Sequence, residues 1–184
     1  MAYVSPIERK TNDNHTILIR TADVNDGLSM HELTKEVINE EDGLIMVHQD
    51  FTMTVEDQRI KNDWYLQLPQ TLTLLAEHEK KLIGILTIEP GIFVKTAHRG
   101  NLGLIIRKDY RSKGIGRIMM HDALAWAKKN NVFEKIELEV LETNKKAIAL
   151  YEKLNFKVEG IIKNAVKQSN NNYVNLYQMG LPIK

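Results

Sequence analysis

The 184-residue chain contains no cysteine. That excludes disulfides, thiolate nucleophiles and most structural zinc sites, and it fits a reducing compartment. No apolar run approaches the roughly 18 residues that a membrane span needs, and the opening MAYVSPIERKTNDNH lacks the apolar stretch of a secretory leader. The expectation is a cytoplasmic protein with no membrane partner. Neither sign of charge dominates, since 25 lysines and arginines face 24 aspartates and glutamates, for a formal net charge of +1. Such balance gives no reason to expect nucleic acid, so any basic site must be local. The histidines are scattered without paired ligand spacing, and no metal is expected. There is neither an internal repeat nor a low-complexity linker. What remains, 43% hydrophobic and 27% charged, suits one globular domain with a sizeable core.

Residues 1–14 are polar, carry Pro6 and read as a flexible N-terminal arm, leaving residues 15–184 as a single domain. HTILIRT, residues 15–21, alternates as a strand does. Val24, Leu28, Leu33 and Val37 recur at near-helical spacing after Asp23, a suitable N-cap. TVED at 54–57 has capping-box spacing and opens a second helix that Pro69 stops. TLTLLAEHE and KLIGILTIE then flank a short polar connection suited to a hairpin, and NLGLIIR at 101–107 reads as a buried central strand. A helix follows to about residue 130. EKIELEV at 134–140 alternates as a strand, NKKAIALYEKL at 144–154 is helical, and two more strands surround an Asn- and Ser-rich turn in the tail. The sum is an α+β protein with helices interrupting the strand order.

RKDYRSKGIGRIMM, residues 107–120, joins the apolar strand to a helix through two glycines and several basic residues. The first turn of a helix leaves about four N–H groups unpaired and carries roughly half a positive charge, which suits a phosphate. Gly114 and Gly116 would let that anion reach the backbone, and Arg111, Lys113 and Arg117 would add charge around it. A solvated turn whose basic side chains face water explains these residues as well. A P-loop is excluded because Arg117 follows the second glycine, and a dinucleotide fingerprint is excluded because position 119 is methionine.

RSKGIG resembles the R/Q-x-x-G-x-G/A motif of the GNAT superfamily of acyl-CoA-dependent N-acyltransferases, and NKKAIALYEKLNF is similar to that family's N-x-x-A-x-x-L-Y-x-x-x-G-F segment. The order of strands and helices agrees as well. The resemblance implies a mixed, mostly antiparallel central sheet flanked by helices and splayed at an acyl-CoA site, with acetyl-CoA as cosubstrate. It implies that Arg111, Ser112, Lys113, Gly114, Ile115, Gly116 and Arg117 bind the pyrophosphate, and that the backbone of Leu104, Ile105 and Ile106 pairs with the pantetheine arm. By itself Asn144 reads as an N-cap; the resemblance adds a cofactor contact. Tyr151 lies on an apolar helical stripe with Ile148 and Leu154, and by resemblance it protonates the leaving thiolate.

An acceptor amine of pKa about 10.4 must also lose a proton. Glu89, ending a strand on the acceptor side, is the first candidate to take it, with His98 as another and a water chain as the main competitor. The implied activity is acetyl transfer to a primary amine of a small molecule or amino acid, by direct attack in a ternary complex. The alternatives are a protein N-terminus or lysine as acceptor and, from another class, a non-catalytic acyl-CoA sensor; the resemblance leaves room for a homodimer. Acceptor choice is assigned to INEEDGLIMVHQDFTMT between the first two helices and to the tail hairpin. The cluster Glu40, Glu41 and Asp42 reads as a solvated face. Two departures stand out. Asn155 replaces the family's usual glycine, which a left-handed cap tolerates, and Asn175 stands where an aspartate is usual.

Overall fold

The computed structural model describes residues 3–40, 43–131 and 133–184. Eight strands form one sheet, in the order β1-β2-β3-β4-β5-β6-β8-β7. The strands are β1 (Ile7–Lys10), β2 (Thr16–Thr21), β3 (Leu72–His78), β4 (Lys81–Pro90), β5 (Arg99–Ile106), β6 (Lys135–Leu141), β7 (Lys157–Lys167) and β8 (Tyr173–Pro182). The helices are α1 (Gly27–Ile38), α2 (Val55–Gln67), α3 (Ile115–Asn130) and α4 (Lys145–Lys153). Every neighbouring pair of strands is antiparallel except β5 and β6.

The sheet has two apolar faces. On one, Ile19, Leu74, Leu86 and Ile88 pack with Met119, Met120 and Ala123 of α3 and with Phe156. On the other, Leu75, Leu82 and Ile85 pack with Met30, Leu33 and Val37 of α1. Burying each such side chain contributes about 1.5–3 kcal/mol before chain entropy is counted.

Local chemistry sets most boundaries. Thr54 accepts from the Asp57 amide while Asp57 accepts from the Thr54 amide, so the capping box forms and α2 begins where TVED predicts. Asp23 caps a 3-10 turn at Val24–Asp26, and α1 starts only after it. That shift rotates the stripe, so Val24 and Leu28, expected inside, are exposed, while Met30, Leu33 and Val37 are buried. Asn155 adopts φ 69°, the left-handed cap conformation expected of it.

Two expectations need correction. The segment read as a flexible arm contains β1, which pairs with β2 from Ile7↔Ile19 to Lys10↔Thr16. Its Arg9 forks onto the buried carboxylate of Asp122 on α3, with a 2.7 Å contact to Oδ1. The second correction concerns β5, expected as a buried strand. Only Gly100 and Leu102 are buried, and residues 104–106 are half-buried, because the sheet opens beside them.

Candidate active site

Strands β5 and β6 pair over three positions only, Arg99↔Lys135, Gly100↔Ile136 and Asn101↔Glu137. Beyond that row β5 continues with β4 as far as Gly84↔Ile106, and β6 continues with β8 as far as Leu141↔Leu176. The two strands therefore part company and form a wedge. Leu104, Ile105 and Ile106 border it with no partner strand on that side, an edge that an extended chain can join by main-chain hydrogen bonds.

At the open end of β5 the chain makes a 3-10 turn (Lys108–Tyr110) and enters α3 through two left-handed residues, Ser112 at φ 64° and Gly114 at φ 84°. Gly114 is the N-cap of α3, and no side chain caps it. The amides of the first turn thus lack a side-chain acceptor at a helix end that favours an anion. The two glycines differ in what they do. Gly114 needs its positive φ, whereas Gly116 is buried, and a Cβ on it would lie 3.1 Å from Leu150 and 3.3 Å from Ile106. The smallness of Gly116 lets α3 sit close to β5 and α4.

The charges around this loop are partly spent. Arg111 donates to both oxygens of Glu40 and, through Nε, to the Ile106 carbonyl at 2.9 Å. Lys113 pairs with Asp13 at 3.3 Å and lies over the Tyr110 ring. Arg117 has no acidic partner among the described residues and faces solvent. Three contributors went unread in the sequence. Lys146 of α4 lies 3.4 Å from Ser112 Oγ. Asn12 donates its amide to the Lys113 carbonyl at 2.9 Å, and its carboxamide lies against Gly114. Glu40, expected on a solvated face, is instead the partner of Arg111; Glu41 and Asp42 lie outside the described residues.

Asn144 caps α4, its Oδ1 accepting from the Ala147 amide at 3.2 Å. Tyr151 is 7% exposed and stands in the α3 face of the sheet with Leu138, Val140 and Phe156. Burial alone pushes its phenol up to about 12, so the ring keeps its proton at neutral pH.

Glu89 occupies the opposite face. It stands across from Asn101, which in turn faces Glu137, the last row before the wedge opens. Its carboxylate accepts from Lys61 of α2 at 3.2 Å, and the Tyr65 phenol stands near enough to feel its charge. Burial first, and then the charge of Glu89, push the Tyr65 phenol well above its ordinary range. Sequence periodicity gave no sign of Lys61 or Tyr65. His98 is exposed just before β5, at the closed end of the β5–β6 pair, and its carbonyl accepts from the Glu134 amide.

Gly43 of the loop after α1 and the turn between β7 and β8 line one cleft of about 290 Å³. Gly43, Leu141 and Thr143 form its floor, and Gln168, Asn170 and Asn172 contribute side-chain amides. No group of three or more His, Asp or Glu among the described residues is placed to hold a metal, and no helix among them is long and apolar enough to cross a membrane.

An open, mostly antiparallel sheet parted at one parallel pair, with a helix N-terminus at the mouth of the gap, is the architecture of an acyl-CoA-dependent transferase. Residues 40–156 match the acetyltransferase (GNAT) family, and the chain belongs to that family. N-acetyltransferase aca1 of Schizosaccharomyces pombe is 33% identical over 110 residues, which make up 59% of this chain and 53% of that protein. The chain thus spans about half the length of that relative. L-amino acid N-acetyltransferase AaaT of Escherichia coli is 26% identical over 111 residues, 60% of this chain and 68% of the relative. Among solved structures, the acetyltransferase of GNAT family from Streptococcus pneumoniae superposes with a TM-score of 0.86 at 26% identity, over 91% of this chain and 99% of that one. The fold is also that of yncA from Salmonella typhimurium, solved with its cofactor acetyl-CoA, at a TM-score of 0.81 and 16% identity, over 91% and 94% of the two chains.

Proposed function

We propose that this chain transfers an acetyl group from acetyl-CoA to the primary amine of a small molecule or amino acid, by direct attack in a ternary complex. One observation carries the reading: β5 and β6 pair over three positions and then part, with Glu89 beside the last paired row on the α2 face and Tyr151 buried in the core of the α3 face. A base on one face and an acid on the other suit an acceptor that enters from the α2 side and a thiol that leaves towards α4.

The residues present fit acetyl-CoA. The uncapped first turn of α3, with the amides of residues 111–117, is an anion site of the kind a pyrophosphate takes. The free edge of Leu104, Ile105 and Ile106 supplies main-chain partners for the pantetheine arm. Arg117 and Lys146 contribute the charge that Arg111 and Lys113 have already given to Glu40 and Asp13. Asn144 spends its oxygen on capping α4 and keeps its amide hydrogens for the pantetheine.

In this scheme the thioester carbonyl is the electrophile that acetyl-CoA brings. Glu89 takes the proton of the acceptor ammonium, and the main-chain amides at the wedge polarise the carbonyl oxygen. Tyr151, still protonated because it is buried, gives its phenolic proton to the departing sulfur. Holding both substrates in one gap supplies much of the remaining rate.

Thiol release from acetyl-CoA, followed with a colorimetric thiol reagent across amino acids, polyamines, aminoglycosides and short peptides, tests the reading. The chain has no cysteine and adds no background. Saturable release with a free amine supports it. Faster release with peptides than with any free amine moves the acceptor to a protein terminus or lysine, and tight acetyl-CoA binding without release points to a sensor.

A further inference from the structure

The carboxylates of β6 and its end beside the wedge each have a hydrogen-bonding partner. Glu137 is paired with Arg99 at 3.0 Å and with Lys135 at 3.6 Å, Glu139 accepts from Gln178, and Glu142 accepts from Asn175. The cleft beyond Leu141 is lined by uncharged residues, three with side-chain amides, two with hydroxyls, and the apolar Leu141 and Val174 among them. The matched pair that borders both α2 and the wedge is Lys61–Glu89, at 3.2 Å. Its two side chains are 34% and 39% exposed, within reach of a small molecule. The Tyr65 phenol feels the charge of the same carboxylate, and the Lys61 ammonium lies 4.8 Å over its ring.

An ammonium arriving alone at Glu89 must open this ion pair and strand the charge of Lys61. An acceptor that carries a carboxylate one carbon away from its amine exchanges partners without stranding either charge. Its ammonium takes the place of Lys61 on Glu89, and its carboxylate takes the place of Glu89 on Lys61. The surrounding groups favour the same exchange, because Tyr65 can give its phenolic hydrogen bond to either carboxylate.

We infer that the Lys61–Glu89 pair is a zwitterion-exchange subsite, and that the acceptor is an α-amino acid whose carboxylate binds Lys61 and Tyr65. The inference rests on acetyl transfer as the activity and narrows its substrate class. Lys61 and Tyr65 act as specificity residues, and the subsite works against polyamines, amides and decarboxylated amines.

The test compares three acceptors that share one side chain, an L-α-amino acid, its carboxamide and its decarboxylated amine, by kcat/KM at saturating acetyl-CoA. Wild type is expected to prefer the amino acid over each of the others by roughly tenfold or more, as a lost charged hydrogen bond implies. Lys61→Met should erase that preference, Lys61→Arg should keep it, and Tyr65→Phe should reduce it. Equal use of the three acceptors by wild type overturns the subsite without needing any variant. Retained preference in a folded Lys61→Met also overturns it, since the carboxylate must then bind elsewhere. Absence of thiol release with all three, while calorimetry still detects acetyl-CoA binding, overturns the acetyl-transfer reading, and the subsite falls with it.

Discussion

Arg111 and Glu40 meet fork to carboxylate, Nη1 to Oε2 at 2.6 Å and Nη2 to Oε1 at 3.0 Å. The same arginine fastens its Nε to the carbonyl of Ile106, where β5 ends. Four residues earlier, on α1, Glu36 pairs with Arg107 through a single contact, Nη1 to Oε2. The motif arginine is therefore a rivet between the segment after α1, the end of β5 and the loop that leads into α3. A free phosphate ligand would have to be released from these bonds first.

This assignment fixes the sign of an experiment. Glu40→Gln leaves Arg111 half-paired and loosens the loop, at a cost of about 1–2 kcal/mol for a charge-assisted fork. The expected results are a melting temperature lower by about 2–6 °C and weaker acetyl-CoA binding by calorimetry. Tighter binding would mean that Glu40 competes with the pyrophosphate for Arg111, and the rivet would be wrong.

Gly114 makes a second prediction with separable parts. Its φ of 84° costs an alanine about 1–2 kcal/mol, and a Cβ there would come within 2.6 Å of Asn12 Oδ1. Gly114→Ala should lose stability in urea titration, and adding Asn12→Gly should return the part due to the collision while the backbone part stays. Gly114→Asp should abolish acetyl-CoA binding by setting a carboxylate where the pyrophosphate goes. Unchanged affinity would remove the loop from the cofactor site.

The contrast between α2 and the caps explains how far the sequence could be read. Capping boxes, the Glu79–Lys80 hairpin turn and the left-handed Asn155 are signalled by residues within a few positions of one another. The inward face of α2 carries no such signal, because its buried residues are Gln58 and Asn62, satisfied by a bond to each other and by the Asp23 carbonyl. Apolar periodicity cannot orient such a helix, so Lys61 and Tyr65 were invisible as partners of Glu89. β1 escaped for a related reason. Three of its four residues are exposed, and its anchor, Arg9 on Asp122, spans 113 positions. The wedge itself was legible only through the paired motifs, since strand divergence leaves no local mark.

Tyr151→Phe isolates the acid. Turnover should fall by 10²-fold or so, the scale of a single positioned acid, while the KM for acetyl-CoA and the fold change little. The phenol titrates only near 12, so the wild-type kcat profile should show no descending limb from this group below about pH 11. Stability has its own signature. A folded-state value above the ordinary value of about 10 means that the folded chain holds its proton longer than the unfolded one. Stability should therefore be intact below pH 10 and decline as pH rises towards 12, and Tyr151→Phe should shrink that decline. A kcat unchanged by the substitution would give the acid role to water.

Asn175 provides the last test, because its bonds explain why aspartate is absent there. Its amide donates to Glu142 Oε1 at 2.9 Å and its Nδ2 to Oε2 at 3.0 Å, while its own Oδ1 accepts from the Asn164 amide at 2.9 Å. Aspartate could still accept from Asn164, but it would turn a carboxylate onto Glu142 and lose the donor. Asn175→Asp should cost about 1–2 kcal/mol at pH 7, a fall of about 2–6 °C in melting temperature. Two facing carboxylates hold a proton more firmly than either alone, so the folded variant binds protons that the unfolded chain releases. Its deficit should therefore shrink as pH falls from 7 towards 4. Adding Glu142→Gln restores a donor between positions 142 and 175 and should recover most of the loss, a coupling that a double-mutant cycle measures directly. Additive losses would show that the fork between these two residues does not hold the β6 end against β8.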